Sequence, residues 1–181
     1  MTRPWGDGKH PIDSYVLPMP VSNPRDQSSL TPLAYAYRLL AQRAYSEQEL
    51  AEKLSAKGFT AAAVTRTVAQ LKTQGYLDDM RLAADQAERL QARGFGSVGI
   101  RAKLSQKGLS PDTVEQTVAA TGKDQDLQSA QRLLASRFTA DALKEPQTRA
   151  RAFRLLLRRG YSQDIVESLL GSATGNAWDT E

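Results

Sequence analysis

A four-residue pattern occurs three times in this chain, and it limits the possible fold more than any other feature. In each copy a basic residue and a glycine are followed by a large apolar residue and a hydroxyl residue, with spacings of 50 and 52 residues between the copies. Repetition at intervals of this length is typical of stacked helical units. The copies are Lys57-Gly58-Phe59-Thr60, Lys107-Gly108-Leu109-Ser110 and Arg159-Gly160-Tyr161-Ser162.

Each copy predicts a joint between two helices. The glycine supplies the left-handed backbone conformation that ends a helix, and the basic residue before it complements the negative end of the helix dipole. The hydroxyl residue, which is Thr60, Ser110 or Ser162, stands where it can cap the next helix. The capping-box pattern of Ser46 and Glu49 likewise predicts the start of the helix that ends near Gly58.

The apolar residues around the three glycines keep the same register. A leucine lies four residues before each glycine, and a valine lies six residues after it. A further helix is predicted before each joint, over roughly Leu33 to Arg43, Asp79 to Arg93 and Lys123 to Phe138. The register positions are Leu54, Leu104 and Leu156, followed by Val64, Val114 and Val166.

We therefore expect an all-α protein whose three tandem three-helix, helix-turn-helix-like repeats form an elongated, curved array. β-branched residues are few and dispersed, so no sheet is expected. A unit of about 46 residues buries too little apolar surface alone, so neighbouring repeats should stack. The expected divisions are a flexible proline-rich tail over 1–31, repeats over 32–77, 78–122 and 123–171, and a C-terminal tail over 172–181.

Composition argues against most catalytic chemistry. The chain has no cysteine and a single histidine, His10, so thiolate nucleophiles and multidentate zinc sites are not expected. The carboxylate pairs Asp78/Asp79 and Asp124/Asp126 lack companions at a supporting spacing. No signal peptide and no stretch of 18 apolar residues is present, which predicts a cytoplasmic protein without membrane contact. We expect neither an enzyme nor a cofactor.

Three segments together resemble the signature stretches of the RecX family. They are SEQELAEKLSAKGF at 46–59, GYLDD at 75–79 and RGFGSVGIRAKLSQKGL at 93–109. The resemblance covers about residues 32–170 and is strongest in the first two repeats. The third repeat departs from it, because Ala152 and Leu155 stand where the second has Ile100 and Lys103.

The resemblance implies a function that the residue pattern alone does not. A RecX-type regulator is expected to bind along the groove of a RecA–DNA filament as a monomer. It would inhibit the recombinase, ATPase and co-protease activities of RecA, and so modulate recombination and DNA repair. Its partners would be the RecA filament and single-stranded or RecA-bound DNA, with weak direct DNA binding left open.

The densest basic segment spans residues 144–159, which carry six basic residues and one acid. Residues 32–170 as a whole hold 21 basic and 15 acidic residues, a net charge of +6 that suits an acidic partner. Arg151, Arg154 and Arg158 fall on one helical face, which could contact phosphates or carboxylates, or could simply be a solvated surface. The opposite face is predicted to bury Ala150, Phe153, Leu156 and Leu157.

A second basic group surrounds the glycine-rich stretch 94–99. Its glycines could let a partner approach the backbone, or could serve a tight connection between packed helices; they do not form a phosphate loop. With the first group, the predicted contacts for RecA or DNA are Arg93, Arg101, Lys103, Lys107, Arg149, Arg151, Arg154 and Arg158.

Two other functions compete with a filament regulator. A basic helix-turn-helix could belong to a DNA-binding transcriptional regulator, although such proteins generally use one recognition helix per subunit beside a separate domain. A helical scaffold for another protein is the third possibility. Specific binding to a short duplex without RecA would favour the transcriptional regulator.

Overall fold

A computed structural model of the chain describes residues 30–171, and every regular element in that range is helical. The expected all-α fold is confirmed. Most of the predicted N-terminal tail and the predicted C-terminal tail lie outside the described residues. The helices are α1 Pro32–Leu40, α2 Glu47–Ala56, α3 Ala61–Thr73, α4 Asp79–Ala92, α5 Ser97–Gln106, α6 Pro111–Thr121, α7 Lys123–Arg137, α8 Pro146–Arg158 and α9 Gln163–Leu170, with a short 3-10 helix over Ala142–Lys144.

The helices form three groups of three, and each group has its own apolar core. Helices α1–α3, α4–α6 and α7–α9 are called the first, second and third repeats. Complete burial of a leucine side chain contributes roughly 1.5–3 kcal/mol to the free energy of unfolding. The stability of each core therefore depends on a few such side chains. All six leucine and valine register positions lie in these cores: Leu54 and Val64 in the first, Leu104 and Val114 in the second, and Leu156 and Val166 in the third.

The glycine of each four-residue pattern ends the middle helix of its repeat, as predicted. Gly58, Gly108 and Gly160 have φ values of 98°, 72° and 77°, in the left-handed region that other residues seldom adopt. The chain therefore turns sharply at the same point of each repeat, which returns the third helix onto the middle one.

The predicted helix caps are confirmed at some positions and wrong at others. Ser46 and Glu49 form both bonds of a capping box, and Ser110 accepts a hydrogen bond from the Thr113 amide at 3.2 Å. The hydroxyls of Thr60 and Ser162 make no such bond, although both residues have the extended backbone of a cap. Their carbonyl groups accept the first helical amides, so α3 and α9 begin without help from the hydroxyl.

Candidate functional site

The first and second repeats meet through side chains. The hydroxyl of Ser46, at the start of α2, donates to the Lys107 carbonyl oxygen over 2.5 Å. The Glu47 amide donates to Oδ1 of Asp79, at the start of α4, over 3.0 Å. Lys107 Nζ also lies 3.7 Å from Glu49. The start of the middle helix in one repeat therefore contacts the glycine turn and the first helix of the next repeat.

The second and third repeats meet at the equivalent place, but through backbone. The Gly96 amide donates to the Arg159 carbonyl over 3.0 Å, and the Gly99 amide donates to the Gly160 carbonyl over 3.2 Å. The Ser97 amide donates to Asp126 Oδ2 over 2.9 Å, as Glu47 does at the first joint. Where the first repeat has Ser46, the second has Gly96. The missing side chain lets the backbone of the second repeat approach that of the third.

This contact decides between the two roles left open for the glycine-rich stretch. A Cβ atom on Gly99 would lie 2.5 Å from the Arg159 carbonyl oxygen, and one on Gly96 would lie 2.6 Å from that of Gly160. The stretch is thus a tight connection, and it joins the second repeat to the third. Its amides at 96, 98 and 99 are used inside the protein.

Three cations surround one aromatic ring at the edge of this joint. The ring centre of Phe95 lies 4.8 Å from Lys103 Nζ, 4.8 Å from the guanidinium carbon of Arg159 and 6.0 Å from that of Arg93. Arg159 also donates to the Arg93 carbonyl over 2.8 Å. We call Arg93, Phe95, Lys103 and Arg159 the Phe95 cluster.

The Phe95 cluster has an uncompensated positive charge. The ring face attracts each cation, but three cations around one ring repel one another. Within residues 30–171, none of the three is paired with a carboxylate. A phosphate or carboxylate of a partner would relieve that repulsion, so the cluster is suited to binding an anion.

Helix α8 carries the other unpaired basic surface. Arg151, Arg154 and Arg158, which we call the arginine ridge, are all exposed on the side of the helix opposite the fully buried Ala152 and Leu156. In the described part of the chain no carboxylate pairs with any of them. Arg149, two residues before Arg151 in α8, is also exposed, and no carboxylate within residues 30–171 pairs with it.

The predicted buried face of α8 is wrong at one position. Leu157 is 43% exposed, whereas Ala152, which was not predicted to be buried, is fully covered. Successive residues of a helix differ by about 100°, so a core centred on Ala152 and Leu156 leaves Leu157 outside it. This leucine adds an apolar contact beside the basic residues Arg154 and Arg158.

Two of the predicted contact residues are engaged within the protein. Arg101 makes a two-pronged pair with Glu115, at 2.6 Å and 2.9 Å. The hydrogen bonds of this pair raise the pKa of Arg101 and lower the pKa of Glu115. Lys107 is half-buried at the first joint, where its carbonyl and its ammonium group contact Ser46 and Glu49.

The structure also adds a cation that was not among the predicted contacts, although it belongs to the basic segment 144–159. Arg159 belongs to the third copy of the four-residue pattern, and the fold carries it to Phe95 and Arg93 of the second repeat. One signal was available: the third copy has arginine where the other two have lysine. The planar guanidinium stacks on aromatic rings better than an ammonium group does.

The described residues contain neither a metal-binding cluster nor a membrane-crossing helix. Between positions 30 and 171, no group of three or more histidine, cysteine, aspartate or glutamate side chains could hold a metal ion. Over the same range no helix is both long and apolar enough to span a bilayer.

These features define a class of protein: a tandem array of three-helix repeats whose unpaired cations lie at the second joint and on α8. The family model for the first three-helix domain of RecX matches residues 33–71. The regulatory protein RecX of Deinococcus radiodurans is 32% identical over 142 residues, covering 78% of this chain and 68% of that protein. The chain belongs to the RecX family.

Other relatives and solved structures agree with that assignment. Regulatory protein RecX of Xanthomonas campestris pv. campestris (strain B100) is 35% identical over 136 residues, covering 75% of this chain and 83% of the relative. The crystal structure of RecX from Lactobacillus salivarius matches with a TM-score of 0.64 at 16% identity, covering 77% of this chain and 92% of the other. At 16% identity, this structural match supports a shared fold and nothing more. The family membership expected from the signature segments is confirmed.

Proposed function

We propose that this RecX-family regulator binds the RecA–DNA filament and restrains the recombinase, ATPase and co-protease activities of RecA, with no catalysis of its own. The observation that carries the proposal is the arginine ridge, where three exposed guanidinium groups share one face and no acid among residues 30–171 neutralises them. The Phe95 cluster adds three more unpaired cations at the neighbouring joint.

A nucleoprotein filament has the chemistry that these cations need. A guanidinium group binds phosphate or carboxylate through two parallel hydrogen bonds, and a filament offers both types of anion along its length. Binding would release counterions, so the affinity should fall as salt rises. The proposed contacts are Arg93, Lys103, Arg149, Arg151, Arg154, Arg158 and Arg159.

Arg101 and Lys107 remain predicted contacts, but we expect them to contribute less to binding than the unpaired cations do. Each would first have to leave an internal carboxylate, Glu115 or Glu49 respectively, before it could bind an anion of the filament. The free cations require no such exchange. The protein is proposed to act in the cytoplasm, as a monomer on the filament.

The test measures ATP hydrolysis by RecA on single-stranded DNA while the protein is added below the RecA concentration. Inhibition at such low ratios, with little affinity for DNA alone, would support a filament-directed regulator. Unchanged hydrolysis together with tight binding to a specific duplex would favour a transcriptional regulator instead. Indifference to both RecA and DNA would point to a helical scaffold.

A further inference from the structure

A cavity of about 340 Å³ lies between the second and third repeats, beside the Ser97–Asp126 hydrogen bond. The second repeat contributes Ser97, Val118 and Ala119 to its lining, and the third contributes Asp126, Ser162 and Ile165. Neither the arginine ridge nor the Phe95 cluster lines it. It is thus distinct from the proposed filament-binding surface.

Asp126 lines this cavity and has an unused acceptor. The residue is only 2% exposed, and its Oδ2 accepts the Ser97 amide at 2.9 Å. Its other oxygen, Oδ1, has no hydrogen-bond partner among the described residues. A buried carboxylate oxygen without a donor costs free energy, since it has lost water and gained nothing in return. The oxygen is closed to solvent, so a donor from outside the chain reaches it only when the side chains that line the cavity move aside.

A second acceptor lies in the same lining. The Ser162 hydroxyl makes no capping bond to α9, so its oxygen is free to accept a hydrogen bond. Two unused acceptors in one cavity match a ligand that donates several hydrogen bonds. An ammonium group has three donors and no acceptor.

The charge of the lining also favours a cation. Two carboxylates, Asp126 and Asp164, stand against one ammonium group, that of Lys123. Lys123 Nζ lies 4.0 Å from Asp164, and both side chains are mostly exposed, so this pair is weak. The described residues contain no group of three or more histidine, cysteine, aspartate or glutamate side chains that could hold a metal ion.

We propose that this cavity binds a primary ammonium group on an alkyl stem. Asp126 Oδ1 and Ser162 Oγ accept its hydrogen bonds, and Val118, Ala119 and Ile165 flank the stem. Such a group could come from a lysine side chain of a protein partner or from a free polyamine. Because the lining is shared between two repeats, the bound ammonium group links the second repeat to the third.

The test is an NMR titration of the full chain, in which the Ser97 amide reports on the cavity. n-Butylammonium chloride is the first probe, and n-butanol is the neutral control with the same stem. We expect a saturable shift of the Ser97 resonance with the ammonium ion and none with the alcohol. Equal shifts with both compounds, or no saturable shift, would overturn the proposal.

Matched variants separate binding from folding. Asp126→Asn keeps an acceptor for the Ser97 amide but removes the charge, and we expect affinity for n-butylammonium to drop on the order of tenfold or more. Asp79→Asn changes the equivalent residue of the first joint and should leave it unchanged. Ala119→Leu fills the cavity from an exposed position on α6 and should abolish binding. Undiminished binding by Asp126→Asn and Ala119→Leu would contradict the assignment.

Two further titrations identify the source of the ammonium group. Nα-acetyl-lysine amide represents a lysine of a protein partner, and spermidine represents a free polyamine. Tighter binding of the first would assign the site to a partner lysine, and tighter binding of the second to a polyamine. RecA takes no part in any of these measurements, so their result is independent of the filament proposal.

Discussion

The Gly99 amide donates a hydrogen bond of 3.2 Å to the Gly160 carbonyl oxygen, which brings the backbones of the second and third repeats into direct contact. A Cβ atom on Gly160 would lie 2.1 Å from the Gly99 nitrogen. Gly58 holds the same position in the first repeat, yet a Cβ there would meet no atom within 4 Å. Gly58 is therefore needed only for the turn, whereas Gly160 is needed both for the turn and for the close contact between the second and third repeats.

Alanine substitutions at these two glycines should separate the two roles. Gly58→Ala places a side chain on left-handed backbone, which costs roughly 1–2 kcal/mol of unfolding free energy. Gly160→Ala carries the same cost and also forces a methyl group into the joint, which adds about 1–3 kcal/mol. Urea unfolding followed by circular dichroism measures both. Equal losses for the two variants would mean that the joint opens without cost.

Charge reversal of the arginine ridge should weaken filament binding without unfolding α8. Arg151→Glu, Arg154→Glu and Arg158→Glu together replace three attractive charges by three repulsive ones at exposed positions. We expect affinity for RecA-coated single-stranded DNA to drop on the order of a hundredfold, with a shallower dependence on salt. Fluorescence anisotropy measures the affinity, and circular dichroism checks the helix content.

A second triple variant controls for net charge. Lys53→Glu, Arg66→Glu and Arg81→Glu change the total charge by the same amount at exposed positions of the first two repeats. Filament affinity should decrease far less in this protein than in the ridge variant. Similar losses in both would show that overall charge, and not the ridge, governs binding.

Neutralising Lys103 should affect the filament more than neutralising Arg101. Lys103 lies over Phe95 and has no carboxylate partner in the part of the chain that the structure describes, whereas Arg101 is paired with Glu115. Lys103→Gln should lower filament affinity roughly fivefold, as expected for one lost anion contact of about 1 kcal/mol. Arg101→Gln should change it little. The same anisotropy assay compares them, and a larger effect of Arg101→Gln would require its pair with Glu115 to open on binding.

The first joint should weaken in acid because of Glu49. Burial alone would raise the pKa of Glu49, but hydrogen bonds from Arg43 and the Ser46 amide and the nearby charge of Lys107 outweigh it and hold the pKa below the ordinary 4.5. The ionised carboxylate therefore stabilises the fold above about pH 4.5, and this contribution is lost as the pH falls through the lowered pKa.

The isosteric variant Glu49→Gln isolates this contribution. Its unfolding free energy should lie below that of the native chain at pH 7, and the difference should shrink as the pH falls below 4.5. Asp79 acts in the opposite direction, since burial raises its pKa, and both proteins share that effect. Urea unfolding across pH 3–7 measures the difference. A gap that stays constant with pH would exclude Glu49 as its source.

Most of the secondary structure followed from features local in sequence. The turns at Gly58, Gly108 and Gly160 and the capping box of Ser46 and Glu49 involve only a few neighbouring residues, so their patterns predict them directly. The helical period also predicted the core positions, except at Leu157. The buried face of α8 is centred on Ala152 and Leu156, which leaves Leu157 exposed. The caps at Thr60 and Ser162 failed because a hydroxyl at a cap position need not bond to the helix.

The amino-acid sequence by itself determined the helices and the positive charge of α8, because each depends on residues less than a few turns apart. It also determined the threefold repetition, because the same short pattern recurs along the chain. Only the tertiary structure decided which cations are free. Arg101 is neutralised by Glu115 from another helix, and Arg159 reaches Phe95 of the preceding repeat. The helical period determines which residues share a face of one helix, but it does not specify what lies opposite that face. That depends on how the repeats pack.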